Sequence, residues 1–372
     1  MASGQNSAPP RVRVGIIGCG EIAQVAHIPT LNFLSHLFKI TYLCDVSRDS
    51  LTHCQTKVVG GIPQATLSPD ELCASPNVDV VMVLSSDEYH AEHGILALTH
   101  NKNVFIEKPL ALSDKDTDAI IEAEKNSNGQ AMVGYMRRYA PIVKDMVSEI
   151  GDNPILYARV RDIIGPNSAF VEQSGTFPKR ATDFSTADTE DRNKKATDIL
   201  KQGFEKEAGI LPDDNVESRM WRALGGLGSH DLSLMREVLG MPVEVIGAHL
   251  QTPFWSALFR YPSFTVMYES GLDSIPRFDA HLEVYTAKKT VRLQYDTPYV
   301  KGLPITMHVA ENVDGVFQKR TIRRTYEDPY TVELKELHAV VTGEKPVKTT
   351  AVDAKQDLEI FRMLVRAAAR KD

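Results

Sequence analysis

The chain has 372 residues, of which 42% are hydrophobic and 24% charged, and its formal net charge is -7 at pH 7. This composition is typical of a folded globular protein and argues against a disordered, collagenous or coiled-coil chain. The length predicts about two domains, and the acidic balance argues against nucleic acid and anionic membrane as partners.

The cysteines and the hydropathy pattern bear on the cellular location. Residues 1–10 are small and polar with two prolines, which predicts a disordered lead-in. The four cysteines show no Cys-x-x-Cys or paired Cys/His spacing, so we expect neither a disulfide framework nor a metal site. No run of about 18 uncharged apolar residues and no signal-peptide core occurs, which favours a cytosolic protein without a membrane span.

Strand and helix patterns alternate through the first part of the chain. Helical spacing of apolar residues at 22–34, 91–98 and 119–124 separates strand-like runs at 12–17, 39–44, 80–84, 103–106 and 131–135. Strands that alternate with helices predict a parallel sheet with helices on both faces. We therefore predict an α/β domain of the doubly wound Rossmann type over residues 11–138.

Longer strands follow, and they alternate polar with apolar residues as a sheet with one covered face does. They lie at 155–161, 243–250, 263–269, 278–285 and 289–295, with helices at 229–239, 332–342 and 353–369. We predict an α+β domain for substrate binding and oligomerisation over residues 139–372. The few late helices hardly cover the predicted sheet, so its remaining apolar area favours a homodimer or homotetramer.

Residues 171–217 interrupt this second domain with a charged segment that has no sustained apolar face. We call this segment the excursion. It forms either helices on the surface of the protein or a mobile lid.

A glycine-rich turn follows the first predicted strand and opens a helix, in the pattern G-x-G-x-x-A. The glycines permit a tight turn and let backbone amides approach a pyrophosphate, whose charge the helix N-terminus favours. Asp45 ends the next predicted strand, where a carboxylate can accept hydrogen bonds from an adenosine ribose. The alternative is a glycine turn in another α/β protein. The predicted cofactor residues of the turn are Gly18, Gly20, Glu21, Ile22 and Ala23.

The choice between NAD and NADP depends on the residues that follow the second strand. Asp45 would repel a 2′-phosphate, whereas Ser47 and Arg48 could bind one. We favour NAD and keep NADP, with Arg48 as a contact, as the alternative.

Two residues are candidates for proton transfer. Lys108, in Glu107-Lys108-Pro109, follows a buried strand at the edge of the sheet where doubly wound folds bind ligands. A partly buried lysine there could exchange a proton with a substrate oxygen, while Glu107 holds or restrains the ammonium. His230 opens a helix behind several glycines, and a neutral imidazole could shuttle a proton. The alternatives are a solvated Glu-Lys pair and a histidine at a helix start, and we read Asp231 as a first-turn acid.

Five segments together resemble the Gfo/Idh/MocA oxidoreductases in order and spacing. They are GIIGCGEIA, SSDEYH at 85–90, EKPLA at 107–111, GYMRRYAP at 134–141 and GSHDLSLMREVLG. The resemblance implies a Rossmann domain followed by an open, largely antiparallel sheet that commonly forms the oligomer interface. It also implies hydride transfer between NAD(P) and a hydroxyl or carbonyl carbon of a sugar, cyclitol or related small polar substrate.

The resemblance assigns roles to individual residues. It implies catalysis by Lys108 with His230, and it adds Ser85, Ser86 and Arg138 to the cofactor contacts. We also include His90, Glu107 and Lys108 among the predicted cofactor contacts.

The sequence departs from the family pattern near His230. Gly226 and Ser233 stand where many sugar-oxidising members have aspartates. The excursion could supply the missing carboxylate from Asp183, Asp188 or Asp191. The rival interpretation is a dinucleotide-binding regulatory protein of the same fold that does not catalyse.

Overall fold

The computed structural model describes residues 10–210 and 216–370. The lead-in predicted over residues 1–10 therefore lies, apart from Pro10, outside the described residues. Two β-sheets organise the described chain. Within these residues, no helix is both long and apolar enough to cross a membrane.

The first sheet has six parallel strands in the order β3-β2-β1-β4-β5-β6, which is the order of a doubly wound dinucleotide-binding fold. Its strands are β1 (Val12–Ile17), β2 (Phe38–Cys44), β3 (Gln64–Thr66), β4 (Val80–Val83), β5 (Asn103–Glu107) and β6 (Ala131–Gly134). All four residues of β4 are buried, as its unbroken apolar run predicts. The prediction omitted β3, which has three residues and no hydrophobic run.

Helices cover both faces of this sheet. They are a π-helical turn (Ala23–His27), α1 (Ile28–Phe33), α2 (Arg48–Lys57), α3 (Pro69–Ala74), a 3-10 turn (Asp87–Tyr89), α4 (His90–Thr99) and α5 (Asp114–Lys125). Two further helices, α6 (Met136–Tyr139) and α7 (Ile142–Ile150), follow β6, and α7 packs into the core of the second domain. Ser47, Ser68 and Ser113 cap α2, α3 and α5, because each side chain accepts a hydrogen bond from a backbone N–H three residues later.

The second sheet has eight strands in the order β14-β13-β12-β11-β7-β10-β9-β8. They are β7 (Ile155–Ile164), β8 (Glu244–His249), β9 (Phe254–Arg260), β10 (Thr265–Leu272), β11 (Phe278–Thr286), β12 (Lys289–Gln294), β13 (Thr306–Val313) and β14 (Val316–Ile322). Only β10 and β7 pair in parallel, so the expected mostly antiparallel sheet is confirmed. The sequence reading missed β9, β13 and β14.

One face of this sheet carries cross-strand ion pairs rather than the apolar surface that the alternation led us to expect. Arg159 on β7 pairs with Glu269 on β10 at 2.6 Å, and Arg161 pairs with Asp279 on β11 at 2.7 Å. These side chains are 21 to 36% exposed. The expected apolar face is therefore wrong for this part of the sheet.

The remaining helices lie in the excursion and in the last third of the chain. They are α8 (Asn167–Val171), α9 (Thr186–Ile199), a π-helical segment (Leu200–Glu207), α10 (Val216–Ala223), a π-helical turn (Leu224–Gly228), α11 (Ser229–Leu239), α12 (Pro329–Val341) and α13 (Ala351–Ala368). The described part of the excursion is largely helical, and α9 buries none of its residues. Whether the excursion moves as a lid stays a prediction.

Helix α12 packs against the first sheet although it follows the second sheet in the chain. Val332, Leu334 and Leu337 belong to the same buried cluster as Val14 on β1 and Met82 on β4. The first sheet therefore depends on residues from near the end of the chain for part of its core.

We predict that Leu337→Ala lowers the free energy of unfolding by about 2–5 kcal/mol, because truncating a buried leucine leaves a cavity in the core. Leu337 is 1% exposed, whereas Val352 on α13 is 60% exposed. Urea unfolding of the full chain measures the change, with Val352→Ala as the control, expected within about 0.5 kcal/mol of the wild type. Equal losses for the two variants would contradict the packing described for α12.

Candidate active site

The glycine turn after β1 forms one wall of a cleft at the carboxyl edge of the first sheet. Gly18 has a φ of 98°, and a Cβ there would lie 2.4 Å from the backbone nitrogen of Ser85. Gly20 faces open space, since a Cβ there would meet nothing within 4 Å. The cleft has a volume of about 500 Å³ and is also lined by Asp45 and Ser86. The turn thus leaves room for a ligand group beside its exposed backbone.

Asp45 holds the glycine turn and the start of α2 together. Its carboxylate accepts hydrogen bonds from the backbone N–H groups of Cys19 at 2.7 Å and Ser47 at 2.8 Å. Burial raises the pKa of Asp45, while these two bonds oppose the shift and the nearby Asp183 adds to it. Arg48 is exposed and borders a neighbouring groove rather than the cleft that contains Asp45.

A second cavity of about 230 Å³ adjoins the cleft and shares Ser85 with it. The predicted residues brought together here are Glu21, Ile22, Ser85, His90, Glu107, Lys108 and His230, and the structure adds Tyr299 and Tyr330. The two candidates for proton transfer, which lie far apart in the sequence, thus line one cavity.

Lys108 reaches from the end of β5 to the other half of the chain. Its Nζ donates a hydrogen bond to the carbonyl oxygen of Gly226 at 2.6 Å. Burial lowers the pKa of Lys108, and the negative charge of Glu107 opposes part of this shift. The Gly226 carbonyl therefore meets the ammonium at a position where the family often has an aspartate.

Glu107 is bound to a histidine that the sequence reading missed. Its Oε1 lies 2.6 Å from Nε2 of His27, and both side chains are buried. Although burial opposes the charged form of Glu107, the His27 contact and the Lys108 cation lower its pKa overall. Its Oε2 accepts a hydrogen bond from the backbone N–H of Lys108 at 3.1 Å, so this carboxylate orients the backbone at Lys108.

His230 is the second residue of α11 and faces the same cavity. Burial lowers its pKa well below 6.5, and the cations of Lys108 and Arg137 lower it further. Its ring is therefore neutral at pH 7, and its buried Nδ1 has no hydrogen-bond partner in the described protein.

A buried ionic cluster lies behind His230, and it gives Asp231 a role beyond that of a first-turn acid. The Arg137 guanidinium donates to Asp231 at 2.5 Å and to Asp162 at 3.1 Å, and it stacks 4.5 Å from the ring centre of Tyr295. Burial raises the pKa of Asp231 well above its usual value, although Arg137 opposes the shift. Asp231 is an acid of the first turn of α11, as predicted, and it is also part of this cluster.

Arg138 lies outside both the cleft and the second cavity. Its guanidinium bonds to Asp353 on α13 and, at 2.6 Å, to Glu237 on α11. The expected contact of Arg138 with the cofactor stays a prediction. The adjacent Arg137 also lines neither cavity and lies in the buried cluster behind His230. Adjacent residues on a helix point about 100° apart, so a shift of one position sends the side chain to another part of the protein.

His90 and the serine turn after β4 support the shared wall of the two cavities. The ring nitrogens of His90 lie 2.7 Å from the carbonyl oxygen of Pro109 and 3.0 Å from that of Ser85. Ser85 Oγ also lies 3.0 Å from Nδ1 of His93. These contacts join the turn after β4 to the turn after β5.

The excursion lines the cleft but not the cavity of Lys108. Asp188 and Asp191 border the cleft, and Asp183 bonds to Ser47 at the start of α2. The suggestion that one of these three carboxylates replaces the aspartate missing at Gly226 is therefore wrong for this arrangement. The carboxylates whose negative charges raise the pKa of Lys108 are those of Glu107, Asp87 and Asp162.

The strand order of the first sheet, the glycine turn and the carboxylate after β2 define a Rossmann protein of the dinucleotide-binding type. Residues 12–135, a third of the chain, match the family described as "Oxidoreductase family, NAD-binding Rossmann fold". This is the Gfo/Idh/MocA family that the resemblance of the five segments predicts.

Curated relatives match less than half of the chain. The chain is 32% identical over 169 residues to myo-inositol 2-dehydrogenase of Thermotoga maritima, covering 44% of this chain and 49% of the relative. It is 38% identical over 138 residues to inositol 2-dehydrogenase 3 of Saccharopolyspora erythraea, covering 36% of this chain and 39% of the relative. The matches thus span about half the length of these relatives or less.

Solved structures match the fold over almost the whole chain. A levoglucosan dehydrogenase in complex with NADH and levoglucosan gives a TM-score of 0.70 at 16% identity, covering 97% of this chain and 98% of that one. A 3-ketoreductase from Actinomadura kijaniata with NADP and TDP-benzene gives 0.69 at 15% identity, covering 96% and 98%. At such identities the likeness establishes the arrangement of the two sheets and not the activity.

The pKa of His230 predicts a pH dependence of stability. Below the ordinary histidine pKa of 6.5, the unfolded chain binds a proton that buried His230 does not, so stability falls as the pH falls. We expect the free energy of unfolding of the wild type to fall between about pH 7 and 5. The fall for His230→Gln should be smaller, by up to about 1.4 kcal/mol per pH unit. Urea midpoints across this range measure the difference, with the exposed His36→Gln as the control. Parallel curves for wild type and His230→Gln would contradict the burial of this ring.

Proposed function

We propose that the protein is an NAD(P)-dependent dehydrogenase or reductase that acts on a CH–OH or carbonyl carbon of a small polar substrate. A sugar, a cyclitol or a related compound is the substrate class. The observation that carries the proposal is the cavity shared by Lys108 and His230, directly beside the cleft of the glycine turn. Perturbed lysine and histidine pKa values in one cleft are a signature of acid-base sites.

The relatives support this substrate class. The curated matches are inositol 2-dehydrogenases, and one structural neighbour is a levoglucosan dehydrogenase. Inositols and levoglucosan carry several hydroxyl groups on a ring, which suits a cavity lined by charged groups and tyrosine hydroxyls.

The cleft suits a dinucleotide. Gly20 leaves its backbone open, and the backbone that follows begins a helix over residues 21–33, whose N–H groups favour a pyrophosphate. Gly18 and Gly20 would hold the pyrophosphate, and Asp45 would accept hydrogen bonds from the adenosine ribose. The dinucleotide, when bound, supplies hydride acceptance or donation. We favour NAD, because Asp45 borders the cleft whereas Arg48 does not.

Lys108 and His230 have separate parts in the proposed mechanism. Burial favours the neutral amine of Lys108, which can take the hydroxyl proton as the substrate is oxidised. The neutral ring of His230 can orient the substrate oxygen and pass the proton onward. Glu107, held by His27, fixes the backbone at Lys108 and so positions its side chain. In the reductive direction the same groups return the proton.

We predict that Lys108→Met lowers kcat by about 10²- to 10⁴-fold, since it removes the group that exchanges the proton. A screen of myo-inositol, scyllo-inositol and levoglucosan with NAD and NADP identifies the assay substrate. Dinucleotide affinity, measured by calorimetry, should change by no more than about twofold, because Lys108 is not part of the cleft wall.

The exposed Lys115 on α5 provides the matched control, and Lys115→Met should retain full kcat. Wild-type kcat/KM for oxidation should rise with pH as the Lys108 amine loses its proton, and Lys108→Met should lack this rise. A kcat close to that of the wild type, with an unchanged pH profile of kcat/KM in Lys108→Met, would contradict the proposed mechanism. Dinucleotide binding without turnover of any polyol would favour the regulatory alternative, which Gly226 supports by leaving Lys108 without the family's aspartate.

We also propose that the protein forms a homodimer or homotetramer through its second sheet. The support is the face bearing the Arg159–Glu269 and Arg161–Asp279 pairs, whose side chains stay partly exposed in a single chain. Light scattering at micromolar concentration should give a multiple of the 41.3 kDa chain mass. Added salt should weaken an association that depends on such charges, and a mass of one chain throughout would refute the proposal.

A further inference from the structure

The excursion is attached along the cleft by contacts with the first domain. Gln24 donates to the carbonyl oxygen of Lys179 at 3.1 Å and accepts from its backbone N–H at 2.7 Å. The Tyr89 hydroxyl donates to Asp191 at 2.7 Å. Phe184, between these attachments, and Arg192, directly after Asp191, line the same cleft as the glycine turn. The excursion is therefore the outer wall of the proposed cofactor site.

Asp183 is the residue of this wall that reaches the start of α2. Its carboxylate accepts a hydrogen bond from the Ser47 hydroxyl and another, at 3.1 Å, from the backbone N–H of Asp49. These bonds lower the pKa of Asp183, which keeps the carboxylate ionised. A helix start attracts anions because its first N–H groups lack partners within the helix. Here the chain itself supplies the anion.

A second carboxylate stands beside this position. Asp45 accepts the backbone N–H of Ser47, and the charge of Asp183 is close enough to raise the pKa of Asp45. Asp45 borders the cleft that the glycine turn lines, and Asp183 stands next to it at Ser47, outside the residues that line the cleft. Arg48 borders the neighbouring groove, whereas Arg192 of the excursion lines the cleft.

We propose that Asp183, contributed by the excursion, makes the site select a dinucleotide with a free ribose 2′-hydroxyl and reject one with a 2′-phosphate. This inference rests on the proposed function, since it assumes that the cleft binds NAD(P). It adds a specificity-determining residue that lies more than 130 positions after the glycine turn and outside the matched family region.

The physical reason is that one small space cannot hold three anions. A phosphate monoester carries about -1.5 to -2 charges at pH 7 and competes for the hydroxyl and N–H donors that Asp183 occupies. Binding it would require Asp183 to leave these donors or to remain beside a like charge. A 2′-hydroxyl is neutral and can donate a hydrogen bond to a carboxylate. NAD therefore neither displaces Asp183 from its donors nor places a like charge beside it.

The test compares NAD and NADP binding to the full chain by calorimetry, with no substrate present. The wild type should bind NAD more tightly. Asp183→Asn keeps the size of the side chain and removes its charge. It should lower the ratio of the Kd for NADP to the Kd for NAD by about tenfold or more. Its Kd for NAD should stay within about twofold of the wild type. Glu190→Gln is the matched control, because Glu190 is exposed on α9 and does not line the cleft, and its ratio should not change.

Two further measurements locate the effect. The ratio of the Kd for adenosine 2′,5′-bisphosphate to the Kd for AMP should fall in the same way in Asp183→Asn, because these two probes occupy only the adenosine end of the cleft. Added salt should lower the ratio of the Kd for NADP to the Kd for NAD more in the wild type than in Asp183→Asn, because salt screens the exposed charge of Asp183. An unchanged ratio in Asp183→Asn with intact NAD binding, or tighter NADP binding by the wild type, would overturn the role of Asp183 alone. Binding of neither dinucleotide to the wild type would overturn the proposed function as well.

Discussion

The parallel pairing of the first sheet is the constraint on which the candidate site depends. Strands that run in one direction end at the same edge, so the turns after β1, β2, β4 and β5 meet there. Gly18 lets two of these turns touch, since any side chain at that position would collide with the backbone of Ser85. The glycine turn, Asp45 and Lys108 are thereby placed around one cleft and its adjoining cavity.

Contacts from the rest of the chain complete this edge. The Gly226 carbonyl receives the Lys108 ammonium, and α11 brings His230 to the same cavity. The excursion adds the outer wall of the cleft and a carboxylate at the start of α2. Residues far from the glycine turn in the chain therefore determine the charge around both ends of the site, while the first sheet determines its position.

Local patterns in the sequence were sufficient for many of the elements and for several residues that directly follow strands. Strand β4 is an unbroken apolar run, and α11 begins at Ser229 and ends at Leu239 before Gly240, as the spacing predicts. Lys108 could be placed because a residue that directly follows a parallel strand must lie at the ligand-binding edge. Strands β3 and β14 escaped detection, because they are short or largely exposed and have no clear buried face to mark them.

What the sequence by itself determined is thus the doubly wound order of the first half and the glycine, aspartate, lysine and histidine positions of the site. Only the tertiary structure decided which of two adjacent arginines binds Asp231 behind the cavity and which binds Glu237, because the answer depends on the rotation of α6 about its axis. The pairing of His27 with Glu107 and the place of Asp183 at α2 were likewise decided there. Such contacts join residues 80 to 136 positions apart, and no local periodicity records which distant segment will pack against which.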